Sequence, residues 1–229
     1  MCGRFTITVT MDELKDYLSE YYEIDEMKSK IVVPRYNVAP GQEIITIIND
    51  GNKNRVGLLK WGLVPPFAQD EKIGNSMINA KSETLHEKPS YKSSFEHKRC
   101  VILANGFYEW KRNDKIKTPM RILMKDQSIF PIAGLWSTYH RPDGTKLHTC
   151  TIITTQANEV VSSIHDRMPV ILTEENRKAW LNPRITDYQL LSHTLKPFEP
   201  SKMYAYQVSS LVNNATNEIP ECIQPQPIQ

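Results

Sequence analysis

The second residue of the chain, Cys2, offers the most distinctive chemistry in the sequence. Methionine aminopeptidases remove an initiator methionine when the next side chain is small, so loss of Met1 leaves a cysteine with a free α-amine. That amine, with a pKa of roughly 7.7–8.0, and the thiol, with a pKa of about 8.5, are both partly nucleophilic at neutral pH. An aldehyde reacts with the pair to give first a Schiff base and then a thiazolidine ring. An internal cysteine cannot do this, because its nitrogen is an amide.

The other three cysteines, Cys100, Cys150 and Cys222, are far apart in the sequence and form no CxxC pair. The histidines are not at metal-ligand spacing from them. No secretion signal opens the chain, so a reducing compartment is expected and a disulfide framework is not. The sequence therefore predicts no metal and no cofactor.

The chain that positions Cys2 has an ordinary globular composition: 229 residues, 40% hydrophobic and 24% charged. This favours one soluble domain. The net charge of +2 permits a nucleic-acid partner if the positive charge gathers on one face. No apolar run reaches the roughly 18 residues of a membrane span, so no membrane association is expected.

Strand signals dominate the sequence. Apolar runs rich in β-branched residues recur between turn signals such as the one at 49–52. They cover 5–9, 43–48, 56–61, 99–103, 120–124, 129–135 and 149–154.

Helix signals are fewer. Thr10 and Glu13 form a capping-box pattern that opens a helix through about Tyr21. Further helices are expected from Thr173 through Trp180 and from Asp187 to about Leu195. These patterns predict a single α+β domain over residues 1–225, with a largely antiparallel, barrel-like β core and peripheral helices. A frayed tail is expected at 226–229.

Six short segments occur in an order that resembles one known family. They are Met-Cys-Gly-Arg-Phe at 1–5, Arg-Tyr-Asn-Val-Ala-Pro-Gly at 35–41, Trp-Gly-Leu-Val-Pro at 61–65, Asn-Ala-Lys-Ser-Glu-Thr at 79–84, Gly-Phe-Tyr-Glu-Trp-Lys at 106–111 and Ile-His-Asp-Arg-Met-Pro at 164–169. Together they resemble the SRAP family (SOS response-associated peptidase), also described as abasic-site processing proteins. The resemblance extends from Met1 to about Pro225.

The resemblance implies a covalent chemistry for Cys2. The expected product is a thiazolidine cross-link between its aminothiol and the ring-opened aldehyde of an abasic site in single-stranded DNA, which protects the lesion. Peptidase activity is implied because Met1 must leave, with self-processing as one route, and lyase-type chemistry on abasic DNA is implied too. We expect a monomer that acts in the cytoplasm on DNA.

Three further residues match the family's catalytic positions. Glu109 resembles a glutamate that shuttles protons beside the terminal amine. His165 resembles a histidine that assists opening of the sugar ring and reversal of the cross-link. Asn79 resembles an asparagine that holds the amino terminus or the opened sugar. Seen alone, each has a structural interpretation: a strand-surface charge, a histidine satisfied by backbone, and a turn residue.

The expected DNA contacts come from the same motifs and combine cations, aromatic rings and turn residues. They are Arg4, Asn37, Pro40, Trp61, Phe67, Lys81 and Arg167. Two positions depart from the family pattern. Lys81 stands where many relatives have arginine. The planar guanidinium group is thus replaced by an ammonium group, which acts as a point charge. Phe67 follows the prolines where some relatives have tryptophans.

A mixed basic and aromatic segment at 88–99 is a further candidate for binding single-stranded DNA. The alternative is a solvated segment whose aromatic rings face the core.

Three other functions remain open from the sequence. Amino-terminal-nucleophile glutamine amidotransferases also begin Met-Cys-Gly, although their other motifs are not evident here. An ordinary cysteine peptidase would need Cys2, His165 and Glu109 to act on peptide bonds. A non-catalytic reader of single-stranded DNA would leave Cys2 without a role.

Overall fold

The structure is a computed structural model that describes residues 2–27, 30–113 and 116–226. Twelve strands, numbered in chain order, lie within this part of the chain. They are β1 Phe5–Ile7, β2 Arg35–Val38, β3 Glu43–Asn49, β4 Asn54–Trp61, β5 Asn79–Lys81, β6 Arg99–Ala104, β7 Gly106–Asn113, β8 Ile116–Met124, β9 Phe130–His140, β10 Lys146–Gln156, β11 Arg167–Pro169 and β12 Met203–Gln207.

The strands form two sheets. Five of them close into a barrel in the order β10–β4–β3–β6–β9, with β9 pairing back to β10. The end of β10 also carries β5 and β11. A second, five-stranded sheet runs β12–β8–β7–β1–β2 and is antiparallel throughout. Only the pairings of β10 with β4 and β5 are parallel among the described strands. The predicted α+β fold with a largely antiparallel, barrel-like core is confirmed.

Barrel closure requires a glycine on β9. A Cβ built on Gly134 would lie 2.9 Å from Cys100 Sγ and 2.9 Å from the carbonyl oxygen of Thr151, closer than real Cβ atoms come. Gly134 lies opposite Cys100 of β6 and opposite Ile152 of β10. The strand therefore passes between its two neighbours only because it carries no side chain there.

Five α-helices surround the sheets: α1 Met11–Tyr22, α2 Pro89–His97, α3 Glu159–Ser162, α4 Glu174–Leu181 and α5 Tyr188–Ser192. The capping box of α1 forms as predicted, with Thr10 Oγ1 accepting from the Glu13 amide and Glu13 Oε2 accepting from the Thr10 amide. Thr173 and Asp187 cap α4 and α5, although α5 ends at Ser192, before the predicted Leu195. None of the described helices is long and apolar enough to cross a membrane.

Helix α2 was not predicted, because the mixed basic and aromatic composition of 88–99 indicated a surface segment. Pro89 stands at the first helical position, where its missing N–H costs nothing. The rings of Tyr91 and Phe95 are buried. The hypothesis that they stack on DNA bases is wrong, and the alternative with core-facing rings is confirmed.

The core has two parts on alternate faces of the barrel strands. Val101 and Leu103 of β6 belong to a cluster that includes apolar residues of α1, α2 and α4. Cys100 and Ile102 belong to a second cluster, which includes Phe107 from the five-stranded sheet. Cys2 is part of this second cluster. The nucleophile predicted from the sequence is thus anchored between the barrel and the sheet.

The carboxyl-terminal segment is fastened over β2 by Asn37. Its amide nitrogen lies 3.3, 3.0 and 2.8 Å from the carbonyl oxygens of Val212, Asn214 and Asn217. Its amide oxygen accepts a 2.7 Å hydrogen bond from Arg4 Nη1. Asn37 is fully buried, so it acts here as a structural link between the two ends of the chain.

Of the tail predicted to fray at 226–229, only Gln226 lies within the described residues. Its amide donates a 2.9 Å hydrogen bond to the carbonyl oxygen of Gln207. Residues 227–229 lie outside the described part of the chain.

Replacing Asn37 by alanine should lower the free energy of unfolding by about 2–4 kcal/mol, because several buried polar partners lose their hydrogen bonds. Urea denaturation would measure the loss. Asn52→Ala, at an exposed turn, is the matched control and should change stability by less than about 0.5 kcal/mol. Unchanged stability of Asn37→Ala with weaker DNA binding would instead identify Asn37 as a DNA contact.

Candidate active site

Cys2 lies three residues before the start of β1 and is 0% exposed. Its carbonyl oxygen accepts a 2.9 Å hydrogen bond from Asn79 Nδ2. Asn79 opens β5, which pairs with β10, and its own carbonyl accepts from the Tyr91 hydroxyl of α2 at 3.2 Å. The backbone of Cys2 is therefore held in place from the barrel side by a side chain that the sequence predicted to hold it.

Glu109 approaches Cys2 from the five-stranded sheet. Strand β7 pairs antiparallel with β1, and the Tyr108 amide donates to the carbonyl of Arg4 at 2.9 Å. In this register Glu109, the next residue of β7, lies near the first residues of the chain. The side chain is only 3% exposed, so a carboxyl group lies in the interior beside a thiol.

The environment of these two groups shifts both toward their protonated forms. Burial raises the pKa of Glu109 to about 7, and the charge of Asp166 contributes in the same direction. Burial also raises the pKa of the Cys2 thiol, and the Glu109 carboxylate adds to this increase. Glu109 can consequently accept or donate a proton near neutral pH, whereas the thiol stays protonated until something else activates it.

His165 follows the short helix α3 and precedes β11. Its backbone amide donates to the carbonyl of Val161 at 2.8 Å. Its Nδ1 accepts from the Arg167 amide at 3.0 Å and lies 2.8 Å from Asp166 Oδ1. Burial lowers the pKa of His165, and the Asp166 charge opposes that decrease. The neutral ring that accepts from Arg167 carries its proton on Nε2, while the protonated ring pairs with Asp166.

The four predicted catalytic residues thus lie in one neighbourhood. Cys2 is hydrogen-bonded to Asn79 and lies within the electrostatic reach of Glu109. Glu109 and His165 are both influenced by the same Asp166 carboxylate. The arrangement brings together a thiol, a carboxyl group with a pKa of about 7, a histidine and an amide that binds the Cys2 carbonyl.

The predicted DNA contacts divide into exposed and internal residues. Lys81 is exposed, two positions after Asn79 on the same strand, and Phe67 is 65% exposed. Pro40 is half-buried. These residues remain available to DNA, whereas Asn37 is fully buried.

Trp61 lies under the surface. It is 1% exposed, its Nε1 donates to the carbonyl of Ile78 at 2.8 Å, and its ring packs 5.3 Å from that of Phe5. In this conformation the ring offers no face to a base. It supports the start of β5 from within the core instead.

Both predicted arginine contacts are engaged within the protein. Arg4 Nη1 also donates to the carbonyl of Val212 at 2.8 Å, and its guanidinium lies 5.9 Å from the centre of the Trp110 ring. Arg167 makes a bidentate ion pair with Glu83, at 2.6 and 3.0 Å, and donates to the Thr154 carbonyl. A phosphate that binds Arg167 must compete with the carboxylate of Glu83.

The family model described as SOS response associated peptidase (SRAP) matches residues 1–215. This chain belongs to the SRAP family. The resemblance inferred from the six sequence segments is thereby confirmed.

Several SRAP relatives align over nearly the whole chain. The abasic site processing protein YoqW of Bacillus subtilis is 54% identical over 226 residues, which cover 98% of this chain and 99% of the relative. The abasic site processing protein HMCES of Xenopus tropicalis is 28% identical over 263 residues, which cover 97% of this chain and 78% of the relative.

A solved structure has the same architecture. The crystal structure of a Bacteroides thetaiotaomicron protein superposes with a TM-score of 0.86 at 26% identity, and the match covers 99% of this chain and 100% of that protein. The SRAP chain described here therefore has the fold of an experimentally solved protein.

Sequence reasoning assigned no role to two acidic residues near the candidate site. Glu83 pairs with Arg167 across 84 positions of sequence, and Asp166 acts on both Glu109 and His165. Glu83 lies inside a quoted motif, but no local pattern indicates its distant partner. Among the described residues, no group of three or more histidine, cysteine or acidic side chains could hold a metal ion.

The raised pKa of Glu109 predicts a pH-dependent stability. The folded state holds the proton more tightly than the unfolded chain, whose ordinary value is 4.5, so the stabilisation is full below about pH 4.5 and is lost as pH rises through about 7. Between pH 5 and 8, the free energy of unfolding of the wild-type protein should fall by on the order of 3 kcal/mol relative to that of Glu109→Gln. Urea titrations at several pH values would measure this. Glu43→Gln, at an exposed position of β3, gives the background. Parallel curves for wild type and Glu109→Gln would contradict the assignment.

Proposed function

We propose that this chain processes abasic sites in single-stranded DNA by capturing the sugar aldehyde covalently on Cys2 after Met1 is removed. The observation that carries the proposal is the position of Cys2, whose carbonyl is clamped by Asn79 at 2.9 Å while the buried Glu109 acts on its thiol. Relatives that match 97–98% of the chain are named abasic site processing proteins, which supports this substrate.

The reaction begins at nitrogen. The Cys2 amine attacks the aldehyde carbon C1′ to give a carbinolamine, which loses one water and becomes an imine. Sulfur then adds to the imine carbon, and the thiol proton ends on nitrogen, so the product carries new C–N and C–S bonds. Glu109, with a pKa of about 7, takes up and returns protons in these steps.

Burial of the thiol sets the order of the two attacks. The pKa of Cys2 is raised, so the sulfur is a poor nucleophile before the amine has reacted. A protonated imine places a positive charge next to the sulfur and lowers the cost of forming the thiolate. The ring therefore closes only after the amine has captured an aldehyde.

Ring closure also determines what happens to the DNA strand. An imine at C1′ makes the C2′ hydrogens acidic and permits elimination of the 3′ phosphate, which is a lyase reaction. Addition of sulfur removes the C=N bond and with it this route. Protection and lyase activity are thus competing outcomes of one intermediate, and fast sulfur addition favours protection.

His165 is assigned to opening of the sugar. An abasic deoxyribose is mostly a closed hemiacetal, and an acid near the ring oxygen promotes opening. A neutral His165 has its proton on Nε2, and Asp166 stabilises the charged form at Nδ1. The same groups can assist reversal of the cross-link: the C–S bond breaks and sulfur takes up a proton, water adds to the imine carbon, and a proton delivered to nitrogen lets the amine leave and restores the aldehyde.

Phosphate contacts are assigned to Lys81, Arg4 and Arg167, and base stacking to Phe67. Lys81 and Phe67 are exposed, and Arg167 becomes available if phosphate displaces Glu83. Such contacts carry little base specificity and weaken with salt. We further propose that the protein works as a monomer on DNA in the cytoplasm, and that Met1 leaves through an aminopeptidase or through self-processing at this site.

Cross-linking should require the sulfur of Cys2. Wild-type protein mixed with single-stranded DNA bearing one abasic site should give a heat-stable band on a denaturing gel. Cys2→Ala and Cys2→Ser keep the terminal amine, so they should give a covalent band only when borohydride reduces the imine. Intact mass of the wild-type adduct should equal protein without Met1 plus DNA minus one water.

A heat-stable adduct of Cys2→Ala without reductant would overturn the proposal, as would an adduct in which Met1 remains. Release of ammonia from glutamine, or cleavage of peptides, by a protein that forms no adduct would favour the amidotransferase or peptidase alternative. DNA binding that is unchanged in Cys2→Ala, with no adduct from wild type, would favour the reader.

Replacement of His165 should slow ring opening selectively. His165→Ala and His165→Gln should cross-link abasic DNA about a hundredfold more slowly, in line with the loss of a general acid. The matched control is a DNA whose aldehyde cannot cyclise, because its capture needs no ring opening and should proceed at the wild-type rate. Equal slowing with both substrates would remove His165 from this step.

A further inference from the structure

A polar pocket lies at the end of the barrel that is remote from Cys2. It has a volume of about 340 Å³ and lies between the end of α1, the β3–β4 turn and the end of α4. Strand β4 begins beside it at Asn54 and ends at Trp61, which shares a core cluster with Cys2. At about 3.3 Å per residue, these two ends of β4 are roughly 23 Å apart. We call this cavity the turn pocket.

The charged residues that line the turn pocket are all cationic: Arg177, Lys178 and Arg184. Lys178 and Arg184 are exposed. The acidic Glu20 and Glu174 act on the nearby Tyr21 hydroxyl, whose pKa they raise, but they do not line the cavity. The lining of the turn pocket therefore carries positive charge without a compensating carboxylate.

Arg177 is the buried cation of this lining. It is 4% exposed, and its guanidinium lies 4.9 and 4.8 Å from the ring centres of Tyr21 and Tyr22. Its charge also interacts with the hydroxyl groups of Tyr17 and Tyr22. Within the described part of the chain it makes no ion pair with a carboxylate. Stacking on aromatic rings offsets part of the cost of burying its charge. A bound anion would supply the rest.

Neutral donors complete the lining. Asn49, Asn52, Asn54 and Asn182 border the pocket. The Asn49 amide donates to Asn54 Oδ1 at 3.0 Å, and Asn54 in turn donates to the carbonyl of Tyr22 at 3.1 Å. The side chains of Asn49 and Asn54 are thus fixed before any ligand arrives.

The opposite wall is also rigid. Arg99 is buried and donates from Nη2 to the carbonyls of Asn182 and Ile185, at 2.6 and 2.8 Å. These bonds fix the loop after α4, which carries Arg184. Cations and amide donors around a small cavity, beside a loop held by internal hydrogen bonds, are suited to a group with several acceptor oxygens.

We propose that the turn pocket binds a phosphate group, through Arg177, Lys178 and Arg184, independently of Cys2. A phosphate presents more acceptor oxygens and more charge than a carboxylate, and so matches three cations and several amides. Two sources share this chemistry: a backbone phosphate of bound DNA and a free phosphate ester or pyrophosphate. The roughly 23 Å between the two ends of β4 corresponds to several nucleotides of extended single strand, so a strand held at Cys2 can also reach the turn pocket.

The test is a titration of isotope-labelled full-length protein with inorganic pyrophosphate at constant ionic strength, followed by NMR. Saturable shifts are expected for the side-chain amides of Asn52 and Asn182. The double variant Lys178→Ala/Arg184→Ala, at exposed positions that do not carry the fold, should bind about tenfold more weakly. Lys125→Ala/Lys146→Ala removes two exposed positive charges elsewhere and should leave the affinity unchanged.

Arg177→Met replaces the buried cation by an apolar side chain of similar length and should abolish the saturable shifts. An oligonucleotide without an abasic site then separates the sources: shifts of the same amides indicate backbone phosphate, and no shift indicates a free phosphate. Absence of saturation with pyrophosphate, or equal affinity in both double variants, overturns the proposal. Cys2→Ser should bind pyrophosphate normally, which keeps this result separate from the cross-linking chemistry.

Discussion

The burial of a carboxyl group beside a thiol is the constraint on which the candidate site depends. A charged Glu109 in the interior is unfavourable, and its proximity makes a charged Cys2 more unfavourable still. The pairing of β7 with β1 nevertheless holds both residues in these buried positions. The same destabilisation gives Glu109 a pKa close to neutrality, which an exposed glutamate would not have.

Two independent parts of the fold hold the beginning of the chain. The barrel contributes Asn79 through β5, and the antiparallel sheet contributes Glu109 through β7. Because Cys2 belongs to the core cluster between them, any shift of one layer against the other changes the position of the nucleophile. The barrel in turn depends on the close passage of β9 at Gly134. A change that disturbs the core packing is therefore expected to displace the candidate site as well.

The sequence was informative where a function depends on local chemistry. Three features follow from residues that are neighbours in the chain: the reactivity expected of Cys2 as an amino-terminal residue, the capping box of Thr10 and Glu13, and the predominance of strands. It was less informative where a role depends on tertiary contacts. Trp61 has a suitable type for stacking, yet its indole donates to Ile78 inside the core. Arg167 has a suitable type for phosphate, yet its fork is occupied by Glu83.

The contact between Arg4 and the carbonyl of Val212 links the last part of the chain to its first part. Arg4 is two residues from Cys2, and Asn37 gathers three carbonyls of the same carboxyl-terminal segment. A late nonsense mutation that stopped translation before this segment would leave all four candidate catalytic residues encoded. The shortened product would nonetheless lose the contacts that hold Arg4, so loss of the last residues should disturb the proposed site at the beginning of the chain.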